Sequence, residues 1–416
     1  MRPLETIRAL SAFERRGPGT GAERRAARWL AGELMADRHR VRIETFWCRP
    51  NWAMAHAWHV ALALVGSLLS PSHPTAGAIL LAIALASIVS DEVAGISLGR
   101  RLTAERASQN VVARTSTATA QTAGSTPQPA GATAEAPSAK TPLIITANYD
   151  AGRTALVYRD PLRRSAAELR NLAGPAALGW LAWLSIAIAW LLAVAIVRTS
   201  LHQSSTALGL IQLPPTLALV VGLALLLEAA GAPYGPAADD NASGTAAATA
   251  VTDALARNPP DNLALELVLA GAGNGGEIGI RRYLRTRRRE LRRANAIVLG
   301  IAPSGNGHLH YWRSDGRLVP LGYARPLRAL ASELPNAAPH RDRGATPAQP
   351  ARARGLAAIA IGCLDQKGLA QRSHQRNDDH TTIDEATLDC TVNLVLELID
   401  AIDASLAPAE ASATPA

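Results

Sequence analysis

Four apolar stretches limit what this chain can become: Ala53–Leu69, Thr75–Ser90, Ala176–Val197 and Leu208–Leu227. A helix that crosses hydrocarbon needs about 20 apolar residues, and all its backbone polar groups must bond within the segment. The last two stretches reach that length without a charge. The first two are shorter, and the first holds His56 and His59, which leaves a full crossing or a re-entrant hairpin open for that pair. Trp52, Trp58, Trp180 and Trp190 stand at or near the ends, where amphipathic rings prefer the headgroup zone. Pro214 and Pro215 should kink the fourth stretch or move its start to Thr216.

Charge sets the expected orientation. Residues 1–52 carry 11 Arg and residues 91–172 carry 10 Lys plus Arg, whereas Ser70–Pro74 carries none and the loop 198–207 only Arg198. Positive loops stay in the cytoplasm, so both termini and 91–172 are expected inside an inner cell membrane, in a multi-pass protein with a cytoplasmic soluble domain. The N-terminus MRPLETIRAL lacks an apolar run behind its charges, and no cleaved signal peptide is expected. Cys48, Cys363 and Cys390 are far apart and lack CxxC spacing, which argues against a disulfide framework or a cysteine zinc site. The net charge of +8 suits anionic lipid headgroups as well as nucleic acid.

The remaining sequence alternates strands and helices. Residues 10–36 read as a helix broken by a Gly17–Gly21 loop, and RVRIETFW as a strand. NVVAR at 110–114 and LIITA at 143–147 are short strands flanking 115–141, a Thr/Ala/Ser/Pro segment too poor in large apolar residues to pack and predicted to be a flexible loop. After the second hairpin come helix 243–257, strand LELVLA, helix 277–292, strand AIVLGI, helix 325–334, strand LAAIAIG and helix 384–405. This order predicts an α/β fold with a mostly parallel mixed sheet and flanking helices, interrupted by two transmembrane helical hairpins. The expected divisions are 1–52 (helix and strand), 53–90 (first hairpin), 91–172 (strands), 173–228 (second hairpin), 229–405 (main part) and a tail, 406–416.

Several segments resemble the zinc aminopeptidases of metallopeptidase family twenty-eight, of the aminopeptidase Y and bacterial leucyl aminopeptidase type. They are GAERRAARWLAGEL with RVRIETF, SQNVVA, AADDNASGTAAATAVTDAL at 237–255, ELVLAGAGNGGEIGIRRYL at 266–284 and RSHQRNDDHTTID at 372–384. The resemblance covers roughly three-quarters of the soluble chain, and DDNASG is its most specific part. In that family two zinc ions share a bridging Asp, each takes one His and one further acidic ligand, and a Glu serves as base for the bridging water. The resemblance places the bridging Asp at Asp240 and the last ligand His at His374, both retained. It places the first ligand His at Asn148, with its orienting Asp at Asp150. The base falls on Gly273, the neighbouring acidic ligand on Asn274 and the remaining Asp on Ala302. A shifted alignment puts Glu277 at the glutamate pair instead.

The same residues have plainer readings. Asp239 and Asp240 read alone as caps for helix 243–257. His308 and His310 form a loop pair without a third ligand, and His380 competes with His374 only as a surface residue. The run at 281–293, with eight Arg, reads as a solvated helix face, a contact with anionic lipid or a nucleic-acid contact, in that order. Two surviving ligands are fewer than a zinc site holds, so no metal cofactor is expected. The chain is therefore expected to be a non-catalytic membrane protein that binds a peptide or protein partner, contacts lipids and does not bind nucleic acid. The alternative is an active zinc-dependent membrane exopeptidase, with zinc as its cofactor. A transporter is disfavoured, since no acidic residue lies at a span centre.

Overall fold

The computed structural model describes residues 2–115, 140–201 and 205–407. The loop expected at 115–141 and the tail at 406–416 lie largely outside these residues. The soluble part is a nine-stranded sheet with helices on both faces. In chain order its strands are β1 (Arg40–Cys48), β2 (Arg106–Arg114), β3 (Thr141–Asn148), β4 (Leu263–Ala270), β5 (Ile297–Ile301), β6 (His308–Asp315), β7 (Leu321–Gly322), β8 (Ala338–Arg341) and β9 (Ala357–Leu364). They lie in the order β1-β2-β4-β3-β5-β9-β6-β7, with β8 beside β6. The centre β4-β3-β5-β9 is parallel and the β1-β2 and β6-β7 margins are antiparallel, so four of eight pairings are parallel, fewer than the expected mostly parallel sheet.

Alternation along each central strand divides the core, since successive side chains point to opposite faces. Leu143, Ile145, Leu267, Leu269, Leu299, Ile359 and Ile361 face the layer formed by helices α1 (Pro3–Ala12), α2 (Gly21–Ala36), α9 (Gly244–Arg257), α12 (Arg325–Glu333) and α14 (Glu385–Ser405). Ile144, Val268, Val298, Ala358 and Ala360 face α10 (Ile278–Thr286), α11 (Arg288–Arg293) and α13 (Gln349–Arg352). The expected helix 10–36, broken at Gly17–Gly21, is two helices, of which the first, Pro3–Ala12, starts and ends further upstream than expected, and helix 277–292 is split at Arg287. Thr20 caps α2 by accepting from the Glu23 amide at 3.2 Å, while the buried Glu23 carboxylate accepts from Gly19 N at 2.7 Å.

Four helices are long and apolar enough to cross a membrane: α3 (Trp52–Leu69), α4 (Pro74–Ala94), α7 (Trp180–Leu201) and α8 (Thr206–Gly231). They pack as one bundle around Val60, Ala63, Leu81, Ile88, Ile188, Leu191 and Leu219. At the α3–α4 turn the helices approach so closely that a Cβ on Gly77 would lie 2.6 Å from the Gly66 carbonyl oxygen. α8 starts at Thr206 rather than Thr216 and runs through Pro214 and Pro215, and Trp190 sits in the middle of α7 rather than at a span end.

The edge strands β6–β8 and helix α6 (Asp160–Ala173) were not anticipated. β6 is HLHYWRSD, whose mixture of His, Arg and aromatics has no clean period of two. His308 and His310 therefore lie in a strand, not a loop. At the end of β6, buried Asp315 accepts from Tyr323 Oη at 2.8 Å, Thr346 Oγ1 at 2.8 Å and Thr346 N at 3.0 Å, all on one oxygen. Burial pushes its carboxyl up to about 7 despite these donors.

A folded-state pKa above the unfolded value of 3.8 gives stability that is complete below about pH 4 and lost as pH rises through about 7. At 1.36 kcal/mol per tenfold in proton affinity the loss is at most roughly 4 kcal/mol. Asp315→Asn, which stays neutral, should flatten this part of the pH–stability curve in detergent-solubilised protein. An unchanged slope between pH 4 and 7 would contradict the assignment.

Candidate functional site

The site lies at the carboxyl ends of β3 and β4, where open α/β sheets place their ligand clefts. β3 pairs in parallel with both β4 and β5, with Asn148 opposite Ala270. Asp150 follows two residues beyond β3 and is fully buried. Its carboxylate accepts from Gly273 N and Asn274 N, each at 2.9 Å. Its backbone carbonyl accepts from the side chains of Asn274 at 3.2 Å and Asn241 at 3.1 Å. The segments that hold Asp150, Asp240 and Asn274 thus meet, as the resemblance implies.

Asp240 lies in the turn Ala238–Ser243 ahead of α9, and its peptide bond to Asn241 is cis. Neither acid caps α9. Asp239 instead accepts from Gly305 N at 2.8 Å and Ser243 Oγ at 3.0 Å. Asp240 accepts the Ser373 hydroxyl and lies 3.8 Å from His374 Nε2. Asp378 locks the two loops together, taking the amides of Asp239 at 2.8 Å and Asp240 at 3.2 Å. Burial and the neighbouring Asp239 push the Asp378 carboxyl up to about 8. Burial pushes Asp150 up to about 7 and Asp239 up to about 6.

His374, not His380, faces Asp240. Its Nδ1 is 3.0 Å from the Arg153 carbonyl oxygen, so Nδ1–H donates there and Nε2 turns to Asp240. The ring stacks on Tyr158 with centroids 4.1 Å apart and planes at 14°. Burial lowers its pKa. Tyr158 and Arg153 carry no motif, and sequence reasoning missed them; Ser373 lies inside the RSHQRNDD segment but has no expected role there.

The other expected ligand positions, Asn148, Asn274 and Ala302, offer no carboxylate or imidazole. Asn148 turns its amide nitrogen to both oxygens of the buried Glu277 at 3.0 Å. Glu277 therefore reaches the neighbourhood of the site, but through Asn148, and burial pushes its carboxyl up to about 8. A Cβ on Gly273 would lie 2.2 Å from Asn148 Cγ, so no larger residue fits there while Asn148 stays. Ala302 is buried with its methyl toward Gly362 and Trp312. Among the described residues no group of three or more His, Cys, Asp or Glu is placed to hold a metal. The cavity beside His374 and Asn274, walled by Tyr158, Tyr234 and Trp52, holds about 20 Å³, enough for about one water.

Gly152 packs directly against His374 and Asn274. A Cβ there would start 2.2 Å from His374 Cε1 and 3.0 Å from Asn274 Oδ1. Gly152→Ala should therefore push His374 off Tyr158 and cost about 1–3 kcal/mol, the usual range for overpacking. Thermal denaturation would check this, and a variant as stable as the parent would refute the close approach.

No curated protein matches the sequence. Residues 227–399 match the family model described as Peptidase family M28. Among solved structures, the chain is similar to the aminopeptidase from Aneurinibacillus sp. strain AM-1, with 13% identity and a TM-score of 0.54 over 96% of this chain and 92% of that one. It is similar to BSAP, a zinc aminopeptidase from Bacillus subtilis, with 12% identity and a TM-score of 0.51 over 96% and 94%. Glutaminyl cyclase from Bacteroides thetaiotaomicron gives 12% identity and a TM-score of 0.50 over 96% of each chain. Likeness at this identity is likeness of fold: the α/β domain has the fold of these structures, and within it residues 227–399, less than half of the chain, match the Peptidase family M28 model.

Proposed function

We propose that the chain is a membrane-integrated aminopeptidase-like protein that does not hydrolyse peptides and acts by binding a partner. The carrying observation is the chemistry of the five ligand positions. Asn148, Asn274 and Ala302 supply no acid or imidazole, Gly273 supplies no base, and only Asp240 and His374 remain. The donors present do not fit a two-zinc centre, since zinc sites take three or four protein ligands. Most polar groups around the cleft bond one another, Asn148 Oδ1 being left without a hydrogen-bond partner, and the cavity of about 20 Å³ beside His374 is too small for a peptide residue. A partner surface fits better than a peptide held in this cleft.

One observation favours the rival reading of a working zinc exopeptidase. His374 gives its Nδ1–H to a carbonyl and presents Nε2 to Asp240, the way metal-ligating histidines are commonly held. Elemental analysis of detergent-purified protein, with an aminoacyl-nitroanilide assay under added zinc, separates the two. The expected result is no stoichiometric zinc and only background hydrolysis, because loss of a general base alone costs about 10²–10⁴ in rate. Near two zinc per chain with chelator-sensitive turnover would establish the rival.

The membrane reading rests on the four apolar helices and on what surrounds them. Large apolar side chains such as Leu68, Ile79, Trp183, Leu210 and Val221 point outward from the bundle, where hydrocarbon suits them better than water. Helix α6 leads into α7 with Leu162, Leu169 and Leu172 exposed, as in a helix lying in the interface. The excess of Arg and Lys on 1–52 and 91–172 supports an orientation with the α/β domain on the cytoplasmic side of an inner cell membrane. A membrane-impermeant maleimide on intact cells should label Ser72→Cys at the α3–α4 turn and spare Cys390, exposed on α14. The reverse pattern would overturn the orientation.

A further inference from the structure

A second cavity, of about 270 Å³, lies where the first apolar hairpin joins the α/β domain. Its walls come from Phe46–Arg49, just before α3, from the end of α4 with the turn into α5 (Leu98–Arg101), and from the start of α10. They carry eight arginines against two carboxylates, Asp91 and Glu105. Those acids are already engaged, Asp91 with Arg100 at 2.5 Å and Glu105 with Arg49 at 3.9 Å, while Arg317 pairs with Glu92 at 3.0 Å. Among the described residues Arg101, Arg281, Arg282, Arg285 and Arg354 form no ion pair. Arg281 is 8% exposed, and its Nε has no hydrogen-bond partner.

So many cations facing one cavity repel each other, and the concave wall keeps water from screening them fully. Such an arrangement is favourable when an anion sits among them, and arginine forks suit phosphate oxygens. The rim points to the source of that phosphate. Trp47 and Ile96 line the cavity and are 72% and 50% exposed, and Val93, Leu98 and Leu102 stand exposed beside them. An apolar rim on a cationic pocket suits a molecule with a phosphate head and hydrocarbon tails. A nucleic acid would meet no continuous groove here.

We propose that this pocket binds the phosphate headgroup of an anionic phospholipid, with the acyl chains running along the Trp47–Ile96 rim. The proposal rests on the membrane reading above. It ties the α/β domain to the bilayer surface at the foot of the first hairpin and gives the arginine run at 281–293 a defined task for its first turn.

The test measures binding of short-chain phosphatidylglycerol and phosphatidylcholine to detergent-purified full-length protein. Arg282→Gln/Arg285→Gln removes two exposed pocket arginines without disturbing the core. Arg289→Gln/Arg293→Gln removes the same charge from the same run outside the pocket. The expected result is a preference for phosphatidylglycerol that falls about 10- to 30-fold in the pocket variant, at about 1 kcal/mol per basic residue, and little in the control. Equal weakening in both variants, or no preference between the lipids, would overturn the proposal. Inorganic phosphate alone matching phosphatidylglycerol would overturn the lipid source. Failure of the membrane reading shows separately, as protein released from carbonate-washed membranes.

Discussion

The structure depends on one pairing: β3 inserts in parallel between β4 and β5, although both apolar hairpins lie on its two sides in the chain. A strand in the middle of a sheet has both rows of backbone groups bonded and both faces buried, so it cannot be detached without unsatisfying many polar groups. Every excursion into the apolar bundle must therefore return to the same side. An even number of helices in each hairpin satisfies that requirement, and the basic residues on 1–52 and 91–172 agree with it. The α/β domain is assembled from three separated lengths of chain, and the bundle hangs from their joints.

The joints are polar. Arg100 donates to Asp91 at the end of α4 and to the carbonyls of Arg49 at 2.9 Å and Gly275 at 3.1 Å. One guanidinium thus bonds the foot of the first hairpin, the end of β1 and the loop that carries Gly273 and Asn274. A buried charge is tolerated when it is paired and fully bonded, and its removal then leaves several groups unsatisfied at once. Buried Arg16 bonds the carbonyls of Tyr149 and Ala237, which fixes the N-terminal helices to the two loops that bear Asp150 and Asp240.

In the cleft, hydrogen bonds link the polar groups of three chain segments. Asp150 takes two backbone amides, Asp378 takes two more, and Asn148 closes on Glu277. Buried polar groups demand partners, and Asn148 and Asn274 supply amide donors to Glu277 and to the Asp150 carbonyl. Asp240 and His374 face each other at 3.8 Å. Tyr158, stacked on that histidine, occupies space beside it.

The sequence by itself determined the four apolar helices, the parallel centre of the sheet and the segments that meet in the cleft. These follow from composition, from period-two and period-3.6 patterns, and from the DDNASG and RSHQRNDD segments, all local in the chain. Through the resemblance it named Asp150, Asp240, His374 and positions 148, 273, 274 and 302 as one candidate site. Only the tertiary structure decided the rest. β6–β8 and α6 escaped notice because edge strands and surface helices carry mixed side chains with weak periodicity. Asp239 looked like a helix cap and is a loop clamp, because its partners, Gly305 and Ser243, are chosen by packing. Tyr158 over His374, Glu277 against Asn148 and the arginine-lined cavity join residues far apart in the chain. No spacing rule connects them, since their contacts arise from strand order and from how the hairpins close onto the sheet.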